Sequence, residues 1–324
     1  WFPKTPILLV KGSEADCGPL LAGWPYLLIP NSLNLEEEIH FLSKNLDLEN
    51  LAVTFFDISH QISYRNIPAL PHFMSRFGNA NSKRVLIDGL LSDSLLSRGL
   101  SEGFEYAITP YWGATAHAGE FEHLYGAEFF IVPKAIASSN LAPPTLPEIA
   151  DKLILTMGAS DPDNLSAQVL SAIFGAGQMP EVQVKVVVGS LFSEASQSAL
   201  TTWEKKMPGQ VQLLRNETDL LPHFRLADLA LVGPGLTKYE LAIVGTPGLF
   251  FSATPAMHEI NELFSKAGSG VAIGPFNEIS SQNIQETVNA ILKDQDRRIK
   301  MSQNGRTLID GRGATRILNR ILKV

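Results

Sequence analysis

Along the chain, short runs of Val, Ile, Leu and Phe alternate with longer stretches in which apolar residues recur every three or four positions. The runs read as strands and the stretches as amphipathic helices, and their succession is that of an α/β fold with parallel strands joined through helices. In residues 1–136 the pattern predicts strands at 7–10, 26–29, 53–56, 85–88, 106–109 and 129–132, with helices at 35–44 and 70–77. Glu36, Glu37 and Glu38 fall in the first turn of the first helix, where negative charge meets the positive end of the helix dipole. Residues 137–150 change to Ser, Asn, Ala and Pro, with Pro143-Pro144 at their middle, which predicts a linker. In residues 151–324 the alternation is cleaner, with strands at 153–157, 182–188, 211–214, 229–232, 249–251 and 271–273. Helices are expected at 165–174, 194–206, 220–226 and 257–266, another opens at Leu236-Thr237, and a mostly helical tail over 282–322 is expected to cross back to the first domain. The near-continuous Val184-Lys185-Val186-Val187-Val188 implies a parallel sheet covered on both faces. The expected architecture is therefore α/β, with two Rossmann-like domains and a cleft between them.

Composition narrows the class. A chain of 324 residues suits two domains, and 45% hydrophobic residues allow each a core. The net charge of −7 argues against a general nucleic-acid binder, which needs a basic face, but allows a small anion held by backbone groups. The single cysteine, Cys17, provides neither an intrachain disulfide nor a thiolate zinc site and fits a reducing cytoplasm. No run approaches the roughly 18 apolar residues of a membrane span. The chain opens on Trp1 rather than Met, so a segment upstream is expected to be missing. The 7 histidines never take HExxH-type spacing, and no GxSxG or Cys/His nucleophile context occurs, so no metal and no cofactor are expected.

Ligands of open parallel sheets bind at the carboxyl ends of the strands, and two strand ends have suitable residues. After the strand at 153–157 comes Gly158-Ala159-Ser160-Asp161-Pro162-Asp163-Asn164, a turn rich in side-chain acceptors, in which Asp163 or Asn164 could also cap the following helix. After the strand at 229–232 comes Gly233-Pro234-Gly235, then Leu236-Thr237 at a helix start. Two glycines there let the backbone approach a ligand, and the free N–H groups of the helix end suit a nucleotide phosphate. Glu240, one turn further in, could accept from ribose hydroxyls.

These residues carry a family resemblance. Leu155 to Leu165 resembles the "GGxDPxN" turn of the UDP-sugar hydrolases of the pseudaminic acid pathway and their spore-coat polysaccharide relatives. Gly233 to Ala242, with Gly245-Thr246-Pro247 after it, resembles their "AGxSTYEALxLGxP" segment, and Ile309-Asp310-Gly311-Arg312-Gly313-Ala314-Thr315-Arg316-Ile317 is similar to their "DGxGAxRI". The three lie in the family's order. The family resembles MurG-type glycosyltransferases of GT-B fold, which implies a nucleotide held by the second domain, Glu240 on ribose and the Leu236-Thr237 turn on the diphosphate. It also implies metal-free hydrolysis of a UDP-activated 2,4-diacetamido sugar with inversion by an active-site water.

Departures bear on the mechanism. The family's "GxGHxxR" loop with its catalytic histidine has no counterpart here; counted back from Asp57, the chain starts near the family's second strand, so the loop is either upstream or lost. Phe55-Phe56-Asp57 and Leu86-Ile87-Asp88 take the places of the family's strand-end aspartates, Ser59 replaces the family's tyrosine after the first of these with His60 beside it, and Ala256-Met257 replaces a family "NQ" pair, with His258 and Glu259 following. A water-activating base is the missing part, and His258, His60 and Asp57 are the candidates. His117 and His123 read as loop residues, and His40, His72 and His223 as surface or packing residues. The expected nucleotide-binding set is Gly158, Ala159, Ser160, Asp161, Asn164, Gly233, Gly235, Leu236, Thr237, Glu240 and Glu259. The expected function is a nucleotide-sugar hydrolase in nonulosonic acid or surface-polysaccharide biosynthesis, with UDP ahead of CMP. The alternatives are a GT-B glycosyltransferase, hinted at by an acceptor surface at Tyr111-Trp112, and a noncatalytic nucleotide-sugar-binding paralogue.

Overall fold

The structure is a computed structural model that describes residues 6–14, 21, 23–57, 69–89, 94–137, 142–175, 181–217 and 219–323. The described residues form two compact units, one within Trp1–Gly89, Asp93–Ile108 and His117–His123, the other within Thr109–Ala116 and Leu124–Val324.

The first unit contains strands β1 (Leu8–Lys11) and β2 (Tyr26–Ile29), which pair in parallel. Strands β3 (Val53–Asp57), β4 (Lys83–Ile87), β5 (Tyr106–Thr109) and β6 (Glu122–Tyr125) form a second sheet in that order. Helix α1 (Leu35–Asn45) starts at a reciprocal capping box in which Asn34 and Glu37 bond each other's backbone N–H, as its acidic first turn leads one to expect. Helix α2 (Leu70–Ser75) buries Phe73 and Met74, and Phe56, Phe73 and Phe77 pack edge to face in the core. At the end of β4 the buried Asp88 carboxylate accepts from the N–H groups of Gly89, Leu95 and Leu96 and from the Ser94 hydroxyl, so its charge is consumed inside the fold.

The expected strand at 129–132 is absent, and β6 stands earlier instead. Phe130 and Val132 are buried while Ile131 is exposed, so the alternation is real. It serves packing rather than pairing: Phe130 lies flat on Tyr239, ring centroids 4.3 Å apart. The charged sequence of β6, Glu-His-Leu-Tyr, gives no apolar run to detect.

The second unit is built on a six-stranded sheet of β7 (Lys152–Thr156), β8 (Gln183–Val188), β9 (Val211–Arg215), β10 (Leu229–Val232), β11 (Gly248–Phe251) and β12 (Gly270–Ile273). Its order is β12-β11-β10-β7-β8-β9, every pair parallel. This is the doubly wound order whose direction reverses between the first and fourth strands, here β7 and β10. Residues alternate between two cores: Leu153, Leu155, Leu229, Leu231, Leu249 and Phe251 enter one, while Ile154, Ala230, Val232 and Phe250 enter the other. Both faces are thus covered, as the Val-rich run predicted. The connecting helices are α4 (Leu165–Gly175), α5 (Glu194–Lys206), α6 (Leu221–Leu226), α7 (Thr237–Val244) and α8 (Pro255–Ser265), after a short α3 (Lys134–Ala137). The tail folds as α9 (Ser281–Leu292), α10 (Gln295–Leu308) and α11 (Gly313–Leu322).

Two glycines of the tail are dictated by backbone approach. A Cβ at Gly313 would overlap the Phe130 carbonyl, and one at Gly305 would lie 2.9 Å from Ala242 Cα. Arg316 then clamps the start of α11 by a bidentate pair with Asp310 and a bond to the Glu128 carbonyl (2.8 Å). The Asp310 carboxyl is held down at about 2, first by the Arg316 hydrogen bond.

Candidate functional site

The two turns singled out from the sequence emerge from the strands that flank the switch point. Val232 is in register with Thr156, so Gly233 and Met157 leave the sheet side by side, and Gly233 N–H donates to the Thr156 carbonyl (3.1 Å). Neighbouring strands lie about 4.8 Å apart, so residues that leave adjacent strand ends can meet one small ligand.

After β7, Gly158, Ala159 and Ser160 are exposed, with Gly158 at φ +91°. The next residues turn under them. Asp161 and Asn164, neither a glycine, both take left-handed backbone, with φ of 41° and 52°. The buried Asp161 carboxylate accepts from the N–H groups of Leu165 (2.8 Å) and Ser166 (2.9 Å), so Asp161 takes the capping role offered to Asp163 or Asn164. The first amides of α4 are therefore occupied by a protein carboxylate. Gly189, after β8, was missed by sequence reasoning: its Cβ would overlap the Ala159 carbonyl, and Leu191 N–H donates to the same carbonyl (2.9 Å). The signal was available in a glycine that directly follows an apolar strand.

After β10 the arrangement is the opposite. No side chain caps α7, and no protein acceptor takes the N–H groups of Gly235, Leu236 or Thr237 among the described residues. Gly235 and Leu236 are exposed, Thr237 is half-buried and Gly233 is buried. A helix end of this kind offers directed donors and a partial positive charge to an anion. Glu240 in the same turn is half-buried, and burial raises its carboxyl above the usual range.

Lys238 was also missed. It is buried at 2% exposure, and its Nζ donates to the Pro234 carbonyl (2.6 Å) and to Asn261 Oδ1 (3.1 Å). Burial lowers the ammonium to about 7. A lysine between Thr237 and Tyr239 reads as a helix-surface residue, and only the packing of α8 over it turns it inward. Tyr239 beside it is a core residue: its hydroxyl accepts the Trp112 N–H (3.1 Å), and burial pushes its titration up.

After β11 comes the third strand end. His258 sits in the first turn of α8, which Thr254 caps. Its Nδ1 lies 3.3 Å from the buried Ser252 hydroxyl, and its Nε2 is 3.6 Å from Glu262 on the next turn. Ser252 meets the ring at Nδ1, and the Nε2 side is half-buried beside the Glu262 carboxylate. Glu259 and Met257 are exposed on the same turn.

Asp57 ends β3 and is exposed, and His60 lies outside the described residues. His117 and His123 are joined rather than free in a loop: the His117 N–H donates to His123 Nδ1 (3.0 Å), and burial takes the His123 imidazole down to about 4. Tyr111, half of the acceptor surface expected at Tyr111-Trp112, is buried against Phe130 and Tyr239. Among the described residues no group of His, Cys, Asp and Glu is placed to hold a metal ion, and no helix is long and apolar enough to cross a membrane.

No family model matches the chain. Over 176 residues, 53% of this chain, it is 26% identical to the spore coat polysaccharide biosynthesis protein SpsG of Bacillus subtilis, and the match spans 50% of that protein's length. The fold is similar to that of Acinetobacter baumannii MurG, with a TM-score of 0.60 at 11% identity over 99% of this chain and all of MurG. It is similar also to Anabaena HepE solved with UDP and glucose, with a TM-score of 0.57 at 12% identity over 98% of this chain and all of HepE. The protein is an α/β chain of two Rossmann-like domains related to SpsG, on the GT-B fold of MurG-type glycosyltransferases.

Proposed function

We propose that the protein binds a nucleotide-activated sugar at the carboxyl ends of β7, β10 and β11 and hydrolyses its sugar–diphosphate bond. The observation that carries this is the uncapped start of α7 at the switch point, set beside the exposed 158–160 turn. The diphosphate would lie on the N–H groups of Gly235, Leu236 and Thr237, with Glu240 on the ribose and Gly158, Ala159 and Ser160 closing the other side. Asn164 and Asp161 shape that second turn. The similarity to SpsG, and the UDP in the HepE structure, favour a UDP-sugar of polysaccharide biosynthesis over a CMP-sugar. A diacetamido-type sugar remains part of the proposal through the family resemblance, as do a cytoplasmic location and the domain limits 1–136 and 151–324.

Chemically, the bond between the anomeric carbon and the diphosphate breaks as a water attacks the opposite face. Charge builds on the leaving diphosphate, and the α7 amides stabilise it there, a type of contribution worth several kcal/mol in enzymes that use it. His258 Nε2 accepts the proton of the water, and Glu262 stabilises the imidazolium that results. Asp57 and His60 are the alternative bases.

Calorimetric titration with UDP and then CMP, followed by incubation of the binder's nucleotide sugar with the protein in water, tests the reading. Binding of UDP with release of free nucleotide is the expected result. Binding without release would transfer the assignment to a glycosyltransferase or a noncatalytic paralogue, and no binding of either nucleotide would refute the site.

A further inference from the structure

We infer that Lys238 is a positioning residue for the ligand's anionic diphosphate, acting through the Pro234–Gly235 peptide rather than by contact. The inference deepens the proposed nucleotide site and rests on it. Nζ donates to the carbonyl of the peptide whose N–H belongs to the exposed Gly235, and that N–H has no protein acceptor among the described residues. An ammonium on that carbonyl draws electron density toward the oxygen and makes the Gly235 N–H a stronger donor to an anion. The second Nζ bond goes to Asn261 Oδ1, and Asn261 Nδ2 in turn donates to the Phe251 carbonyl (3.0 Å) at the end of β11. One buried cation therefore fixes the turn after β10 to the helix after β11, two of the three strand ends that form the site.

The environment leaves this cation without a counter-charge. The groups that face Nζ are the Pro234 carbonyl, the Asn261 amide and the Phe264 ring (5.7 Å to its centroid), none of them ionisable. Neither Glu240 on its own helix, nor His258, Glu259 and Glu262 on α8, nor the arginines of α10 contribute to its titration, which burial alone lowers to about 7. A buried charge of this kind is costly in the empty protein and favoured when an anion arrives. The linkage has one sign. Binding of a diphosphate favours protonated Lys238, so the protein takes up a proton on binding near and above pH 7, and affinity falls as pH rises until the lysine of the complex also loses its proton.

The test is calorimetry with UDP and with uridine between pH 7 and 9, each in two buffers of different ionisation enthalpy, on the full chain and on Lys238→Met. The expected result is proton uptake with UDP but not uridine, an affinity for UDP that falls about tenfold for each unit of bound-state shift, and a flat profile for Lys238→Met. In Asn261→Asp a carboxylate keeps the lysine charged, so UDP binds with its profile flattened at the tight end; this variant serves if Lys238→Met does not fold. UDP binding with no pH dependence in the wild-type chain, or with the same dependence in both variants, overturns the role of Lys238 while leaving the nucleotide site intact. Absence of UDP binding at every pH overturns both.

Discussion

At the residue scale, His258 is where the proposed chemistry can be separated from binding. It is held by Ser252 and Glu262, not by the α7 amides. His258→Ala is expected to lower nucleotide release by about 10²–10⁴-fold, the usual contribution of a positioned base, with UDP affinity within about threefold of wild type; single-turnover release and calorimetry check the two halves. Glu240 is predicted to act at the expense of stability. Burial raises its carboxyl, so the folded state holds that proton more tightly than the unfolded chain, and stability is lost as pH rises from the ordinary carboxylate range through the raised value. Glu240→Gln should therefore melt higher than wild type at pH 8, with the gain shrinking toward pH 4, while UDP affinity falls. A thermal melt that is unchanged at both pH values would contradict the burial account. Asp161→Ala removes two bonds to the first amides of α4 and should cost about 1–2 kcal/mol in chemical denaturation.

At the element scale, the glycines decide how closely parts meet. Gly189→Ala would push the 158–160 turn away from β8 and should lower UDP affinity more than stability, whereas Gly313→Ala, at the contact of α11 with the Phe130 carbonyl, should lower the melting temperature and leave affinity unchanged. Reversal of that pattern would mean that the site has been misplaced. The strands of the second unit were legible because burial on both faces writes a continuous apolar run, and the two turns were legible because glycine at a strand end has few other uses. What escaped was written in tertiary contact. Phe130 and Val132 alternate like a strand but find a ring and a helix instead of a ladder. β6 is a strand held by its neighbour rather than by its own composition. Lys238 and Ser252 carry no local mark of burial; each is enclosed by α8 or the end of β11, which the sequence places but does not orient.

At the scale of the whole molecule, Thr109–Ala116 and Leu124–Val324 fall in one compact unit. Trp112 and Phe130 both engage Tyr239, and buried Arg298 bonds the Pro147 and Glu148 carbonyls, so the stretch that reads as a linker in sequence is strapped to the second sheet. A fragment of 124–324 should accordingly melt higher than one of 151–324, and equal melting temperatures would support the proposed limits 1–136 and 151–324. The switch-point order also sets a timetable for synthesis. β7 is made first but pairs on one side with β10, some seventy-odd residues later along the chain. Until that strand leaves the ribosome, Leu153-Ile154-Leu155 presents an open, wholly apolar edge, the kind of template on which unfinished chains join one another. Nascent chains arrested before residue 229 are expected to aggregate or be captured by chaperones, and those arrested after the complete sheet, past residue 273, to be protected. The proposed ligand site thus doubles as a seam: in this sheet, β7 and β10 are the paired strands whose first member waits longest for its partner.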